Sequence, residues 1–460
     1  MLTILKSGTL LLAASILFSS CKLTPKEGEE KSNKAVDSKM VDGHPEWIMQ
    51  GNVYEVNVRQ YTPEGTFKAF EKSLDRLKEM GVQTLWFMPI NPISKLDRKG
   101  AMGSYYAVAD YTGVNPEFGT LEDWKALVKH AHELGMKVII DWVPNHAGAD
   151  HVWVTQHPEF FVKDIVGKPA VPFDWTDTRQ LDYKNDVMQD SMINAMKYWI
   201  AETDIDGYRC DVAWNVPESF WSKCIPELRK MKNIFMLAEG DKPYLFPGGF
   251  DATYPWEMFH MMVDVAAGKR PAFALDSVRA KYDSVYPKNA IELYFTSNHD
   301  ENTWNKADYA TMPGAKHAPF AVFTQTIGNS VPLVYSGQEE PFLDSLSFFY
   351  KDTISFSKFQ RAPFYKTLQN LRKNNPALAA NASFKKVVVG DEKALYAYVR
   401  EAGANKVFVI LNLSAKEQTI KVTDASLQGE PYNVFMGNKE PLKATDWKIE
   451  PWGYVVYEYK

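Results

Sequence analysis

Three carboxylates in this chain each close a short strand-like run. Asp211 ends Gly207-Tyr208-Arg209-Cys210-Asp211, Glu239 ends Met236-Leu237-Ala238-Glu239, and Asp300 ends Phe295-Thr296-Ser297-Asn298-His299-Asp300. Brought to one place, three such acids suit the cleavage of a glycosidic bond. One carboxylate attacks the sugar carbon, a second, kept protonated, donates to the leaving oxygen, and a third steadies the cationic transition state or orients a hydroxyl. Arg209, two residues before Asp211, would hold that acid ionised, because an opposite charge a few ångströms away lowers a carboxylate pKa. Taken singly, each acid could equally end an ordinary strand, so the reading rests on the elements that position them.

Those elements form a repeating series. Apolar, β-branched or aromatic runs occur at 53–58, 84–88, 138–143, 205–209, 234–238, 250–254, 293–297 and 331–335, and helical patterns separate most of them: 67–80, 121–134, 187–202, 218–231 and 359–374. Fully apolar strands alternating with helices imply a parallel sheet, and eight repeats imply a closed (β/α)8 barrel, the TIM barrel fold. In that fold chemistry collects at the carboxyl ends of the strands, where Asp211, Glu239 and Asp300 fall. Between His146 and Asp182 the spacing opens into an irregular stretch with several prolines and the rings Trp153, Phe160, Phe161, Phe173 and Trp175. A loop of that length in a compact fold is usually functional. From about Ala379 the pattern changes to alternating strands such as 394–399 and 406–412 with no helix, which reads as a terminal antiparallel β-sandwich.

Together with Asp141-Trp142-Val143-Pro144-Asn145-His146, the three carboxylate strings resemble, in order and spacing, the signature regions of glycoside hydrolase family 13, the α-amylase family. Gln180-Leu181-Asp182-Tyr183-Lys184-Asn185 resembles an additional region of that family, and 331–339 resembles its last strand. The resemblance covers roughly residues 46 to 460. It implies a barrel over 46–146 and 183–378, a short inserted domain at 147–182 after the third strand, and a β-sandwich at 379–460. It further implies that Asp211 is the nucleophile, Glu239 the general acid and then base, and Asp300 the residue that binds the hydroxyls of the sugar being cleaved. By the same resemblance His146 and His299 bind that sugar, Arg209 supports the nucleophile, and Tyr106, rather than its neighbour Tyr105, is the ring stacked at the cleavage point. A calcium ion, which prefers hard oxygen ligands, would be held by Asn145 with an acid of the inserted loop such as Asp182, Asp174 or Asp177. The Lys-His pair often found shortly after the nucleophile is replaced here by Trp214-Asn215, which argues against that metal and against the usual contacts on the leaving-group side. No other cofactor is implied.

The start of the chain reads as an address. Lys6, an apolar stretch from Thr9 to Phe18 and Ser19-Ser20-Cys21 resemble a bacterial lipoprotein signal over 1–20, with Cys21 lipidated after cleavage. Residues 21–45 are largely polar and read as a flexible tether. The expected location is the outer membrane, facing the periplasm or the cell exterior and held through the lipid alone. Cys210 and Cys224 provide no disulfide framework and read as buried thiols. A net charge of −5 with no basic stripe argues against a nucleic-acid partner. No phosphate-cradling glycine loop and no metal-ligand histidine spacing occurs.

The expected activity is retaining hydrolysis of α-1,4 bonds in starch-like α-glucans or maltooligosaccharides. An α-glucosidase, a neopullulanase or cyclomaltodextrinase, and a transglycosylase share all three carboxylates, so the motifs leave them open. A non-catalytic glycan-binding protein on the same fold would be expected to lose at least one of the acids, and none is missing.

Overall fold

The eight apolar runs become eight parallel strands in a computed structural model that describes residues 39–306, 312–342 and 344–459. They are β1 (Val53–Val56), β2 (Thr84–Phe87), β3 (Lys137–Trp142), β4 (Gly207–Cys210), β5 (Phe235–Ala238), β6 (Ala252–Thr253), β7 (Ile291–Tyr294) and β8 (Ser330–Tyr335). Each pairs with its neighbours in chain order, and β8 closes the barrel on β1 with Leu333 opposite Val53. Successive residues of a strand point to opposite faces. Thus Tyr208, Cys210, Met236 and Ala238 pack in one cluster with the surrounding helices, whereas Phe235 and Leu237 join Trp86 and Ile139 in another. Gly207 is obligatory at the start of β4: its φ is +154°, and a Cβ there would lie 2.0 Å from the Phe235 carbonyl oxygen on β5.

The helices differ from the sequence expectation in instructive ways. The pattern over 67–80 forms two helices, Phe67–Glu71 and Leu74–Met80, interrupted at Lys72-Ser73. Three helices carry no clear signal in the sequence: Trp256–Ala266, Ala274–Val285 and His317–Thr326. The last is buried along its whole length between barrel and terminal domain, so it lacks the polar face that produces an amphipathic period. Between β5 and β6 only a short 3-10 turn, Pro243–Leu245, intervenes.

The inserted segment is anchored at its base by an antiparallel pair, His146–Gly148 with Thr178–Gln180. Its rings Phe160 and Phe161 are buried, while Phe173 is exposed. In the terminal domain a six-stranded antiparallel sheet faces a two-stranded one, with Ala397, Phe408, Ile410, Ile420 and Ile449 between them. Tyr396 and Tyr398, on the opposite face of the same strand, pack against the barrel near Phe323. Arg400, buried, donates to the carbonyls of Thr326 and Ile327 and ties this sheet to the barrel.

The signal, Cys21 and most of the tether lie outside the described residues. The tether ends earlier than its pattern suggests: Met40–Val41 pairs with His44–Pro45, and the buried His44 ring contacts Asp251 at 2.9 Å and the Asn289 carbonyl at 2.7 Å. A histidine with two buried partners converts a polar run into an ordered one. Cys210 and Cys224 are free and buried.

Candidate active site

One guanidinium organises the mouth of the barrel. Strand alternation turns Arg209 inward, where it is fully buried. Its Nη1 donates to Asp141 Oδ1 at 2.8 Å and to Asp211 Oδ1 at 3.0 Å, and its Nη2 lies 3.2 Å from Glu239 Oε2. The rings of Trp86, Tyr106 and Tyr254 stand 5.2, 5.7 and 5.8 Å from it and supply further cation–π attraction. Asp211 leaves β4 immediately after Cys210, and Glu239 leaves β5 immediately after Ala238. Both project past the carboxyl ends of their strands. The Val212 N–H donates to Glu239 Oε2 at 2.6 Å, so the residue after one acid holds the other. Val212 itself has φ +46°, a strained value for a β-branched residue, and this turn carries the chain away from the acids.

The electrostatics correct one expectation. Arg209 does pair with Asp211, yet burial and then the negative charge of Glu239 push the Asp211 carboxyl well above the usual range, outweighing the guanidinium. Asp141 is raised to about 6 by burial against the same opposing cation. Asp211 and Asp141 are therefore both shifted toward the protonated form although they share one buried cation, a property of the cluster rather than of one residue. A site that must present an attacking carboxylate and a proton donor together gains both from this crowding.

A second chain of contacts reaches the site from the opposite wall. His299 Nδ1 meets Glu55 Oε1 at 2.5 Å, and His299 Nε2 meets the Tyr106 hydroxyl at 2.8 Å. Tyr106 in turn donates to Asp141 Oδ2 at 3.1 Å. Burial works against the imidazolium, but the charges of Asp300 and Glu55 prevail and raise His299 to about 9. The doubly protonated ring can then donate to both Glu55 and Tyr106. Asp300 Oδ2 stands 3.4 Å from His299 Nε2, with its side chain 35% exposed at the cavity. His146 is brought to the same cavity in the opposite charge state: burial lowers it to about 3, leaving a neutral ring beside Trp175.

Every residue singled out for sugar contact meets at one cavity of about 460 Å³, save Arg209, which lies beneath it. Tyr106, stacked between His299 and Phe348, faces the cavity. Tyr105 is turned aside, its hydroxyl on Asn57 and its ring under Arg59. Sequence reading missed Glu55, whose one signal is an acid inside the apolar run Val53–Val56. It also missed Trp304, Phe348 and Phe349, which reach the cavity from loops after β7 and β8.

The calcium expectation does not fit these residues. Asn145 Oδ1 accepts from the amides of Asn215 at 2.9 Å and Gln180 at 3.1 Å, and its Nδ2 contacts His146 Nδ1 at 3.1 Å. Asp182 instead accepts from the Lys184 N–H at 3.0 Å in a local turn. Among the described residues no cluster of three or more histidine, cysteine or acidic side chains could hold a metal ion. Amide donors from Asn215 and Gln180 occupy the ligand oxygen of Asn145 and brace the same loop.

Comparison with known proteins agrees with this geometry. Residues 31–175 match the family described as alpha amylase, catalytic domain, and residues 395–456 match the alpha-amylase SusG C-terminal domain. Alpha-amylase MalA of Haloarcula japonica is 25% identical over 82% of this chain and 57% of its own length. A cyclomaltodextrinase of Thermoanaerobacter pseudethanolicus is 25% identical over 77% of this chain and 65% of its own. The chain thus spans somewhat under two thirds of the length of these relatives. Among solved structures, the maltogenic alpha-amylase AmyB of Thermotoga neapolitana superposes with a TM-score of 0.81 at 29% identity, covering 90% of this chain and 99% of that one. An alpha-amylase of Lactobacillus plantarum gives the same score and identity over 90% and 100%. Barrel, terminal domain and the ordered strings around Arg209 agree with these matches: over residues 31–175 the chain is similar to the alpha amylase catalytic domain.

Proposed function

We propose that this protein is a retaining glycoside hydrolase that cleaves α-1,4-glucosidic bonds in starch-like α-glucans or maltooligosaccharides. The observation that carries the reading is the placing of Asp211 and Glu239 on neighbouring nitrogens of one buried guanidinium, with Asp300 across the cavity. Close pairing suits double displacement, whereas inversion needs room for a water between the carboxyls. Asp211 attacks the anomeric carbon as Glu239 gives its proton to the departing oxygen. A covalent glycosyl–Asp211 ester results. Glu239, now ionised, removes a proton from water, whose oxygen displaces the ester and restores both carboxyls with the anomeric configuration retained. Tyr106, fixed by the His299 imidazolium, supplies an apolar face for the sugar ring, and Asp300 binds hydroxyls of that sugar as positive charge grows on it.

Likeness to enzymes named as maltogenic amylase and cyclomaltodextrinase supports α-glucans as the substrate class. The test is a time course of products from soluble starch, pullulan and maltotriose, with wild type and Asp211→Asn. Short maltooligosaccharides of α configuration from starch, lost in the variant, are expected. Panose from pullulan as the main product would move the protein to the neopullulanase type, and no product from any of the three would sink the enzyme reading. We further propose attachment to the outer membrane through lipidated Cys21, supported by the signal-like residues before it. Membrane fractionation of wild type and Cys21→Ser tests this: equal solubility of the two would reject it.

A further inference from the structure

Glu55 does not line the cavity, yet it is a carboxyl placed inside the barrel, where an acid is costly unless a partner compensates it. It is fully buried on the inward face of β1, in register between Tyr335 of β8 and Trp86 of β2. Its backbone carbonyl accepts the Ser336 N–H at 3.0 Å and the Ser336 hydroxyl at 2.6 Å, which fixes the root of the side chain. Oε1 stands 2.5 Å from His299 Nδ1, and Oε2, buried as well, meets no donor among the described residues. Hydrogen bonding alone does not explain the choice of residue. A glutamine oxygen would accept from Nδ1–H at the same place without burying a charge. What the carboxyl adds is a second seat for the proton.

The bonds beyond the ring have a direction. His299 Nε2–H donates to the Tyr106 oxygen at 2.8 Å, the Tyr106 hydroxyl donates to Asp141 Oδ2 at 3.1 Å, and Asp141 Oδ1 accepts from the Arg209 guanidinium that also carries Asp211. This direction requires a hydrogen on Nε2. A neutral ring protonated at Nδ1 alone would present a lone pair there, Tyr106 would turn to donate to it, and Asp141 would lose that donor. With a carboxyl at Nδ1 the proton between Oε1 and Nδ1 belongs to the pair, and Nε2 keeps its own hydrogen in either arrangement. The titratable and charged groups that face His299 are Glu55 from β1, Tyr106 from the loop after β2, Asp141 from β3, Arg209 from β4 and Asp300 beside it. Tyr254 and Tyr335 face Glu55 in turn. Burial works against the imidazolium, and the charges of Asp300 and Glu55 outweigh it.

We propose that Glu55 is a positioning residue that acts through His299: it keeps a hydrogen on both imidazole nitrogens, and so holds Tyr106 at the cavity with its hydroxyl directed to Asp141. This deepens the hydrolase reading and rests on it. Glu55 touches neither the sugar nor the reacting atoms. Its effect reaches them as the orientation of the stacking ring and as the positive charge beside Asp300, both of which disappear when the ring becomes neutral.

The experiment follows kcat/KM against pH on α-maltosyl fluoride, whose departing fluoride has little need of a proton from Glu239. In wild type the alkaline fall is expected as pH passes about 9, where His299 loses its proton. Glu55→Gln is expected to lower kcat/KM at pH 7 roughly tenfold to a hundredfold and to bring the alkaline fall down toward the ordinary histidine value of 6.5. Glu55→Asp, which returns the charge, should move the fall back toward that of wild type. Circular dichroism at each pH separates these changes from unfolding. An alkaline fall that stays where it is in Glu55→Gln would overturn the proposal whatever the loss of rate, because a merely structural carboxyl lowers the rate alike at every pH. Where Glu55→Gln does not fold, nitrogen-15 NMR of wild type decides: the histidine signal absent from His299→Gln should show both nitrogens protonated at pH 7, and a neutral ring there would overturn the proposal. Wild type inactive on the fluoride would instead overturn the hydrolase reading beneath it.

Discussion

The two ends of β4 carry the same kind of residue in opposite surroundings. Asp206 directly precedes the strand, and its buried carboxylate meets His132 at 2.7 Å, Lys232 at 3.0 Å and Lys137 at 3.1 Å, and accepts the Val138 N–H at 2.9 Å. Burial opposes its charge, but these partners win and hold the carboxyl well below the usual range. Asp211 directly follows the strand, where one guanidinium serves three acids and the carboxyl is held above the usual range. At the amino end Asp251 is likewise well supplied, by His44, Arg229 and the Met236 N–H. At the carboxyl end acids outnumber cations. The difference teaches where this barrel spends its stability: one rim fastens strands together, and the other keeps carboxyls crowded so that one can attack while another holds a proton.

Exchanging acid for amide at each end should break the comparison in opposite ways. Asp211→Asn removes the attacking atom and is expected to lower kcat on starch by roughly ten-thousand-fold or more. Because the folded state disfavours the Asp211 charge, the variant should melt no lower than wild type at pH 7. A large drop in melting temperature would show that the carboxyl end is built for stability after all. Gly207→Ala attacks the strand between the two ends. With a Cβ 2.0 Å from a backbone oxygen, β4 cannot keep its register on β5, and several kcal/mol of destabilisation are expected. Recovery of soluble, fully active protein would refute the close approach. Asp206→Asn should cost about 2–4 kcal/mol in denaturant melts by leaving partly exposed cations unpaired, while kcat at low temperature stays within a few fold of wild type.

How much of this was legible depends on how far apart the partners lie in the chain. The barrel announced itself because its strands are apolar on both faces and because Gly207, Arg209 and Asp211 sit in one short string. The choice of Tyr106 over Tyr105 and the gathering of His146, His299 and the three acids at one cavity were likewise readable from ordered strings. Asp206 was not, since His132, Lys137 and Lys232 belong to three separate segments and nothing local links them. Glu55 hid for the same reason: its partner His299 is 244 residues away. Asn145, a ligand-type residue, is engaged by the amides of Asn215 and Gln180, whose approach only the fold reveals. The sense of the Asp211 shift failed because the count of Arg209 as its partner omitted burial and three further acids, Glu239, Asp141 and Asp300.

A smaller effect sharpens the contrast through pH. Asp206 has a folded pKa below its unfolded value, so its stabilisation is complete above about 3.8 and is lost as pH falls through the lower folded value. His299 has a folded pKa raised from 6.5 to about 9, so its contribution is complete below about 6.5 and is lost as pH rises through about 9. The two rims should therefore weaken at opposite extremes. Melting temperature followed across pH should show Asp206→Asn lowered at neutral and alkaline pH, converging on wild type in acid, and so losing part of the acid-side slope while the alkaline-side slope is unchanged. Glu55→Gln, which takes away the partner of His299 Nδ1, should lower stability below about pH 6.5, flatten the alkaline-side slope and leave the acid-side slope as it was. Parallel displacement of the whole curve in either variant would mean that neither pair is coupled to protons as the two rims require.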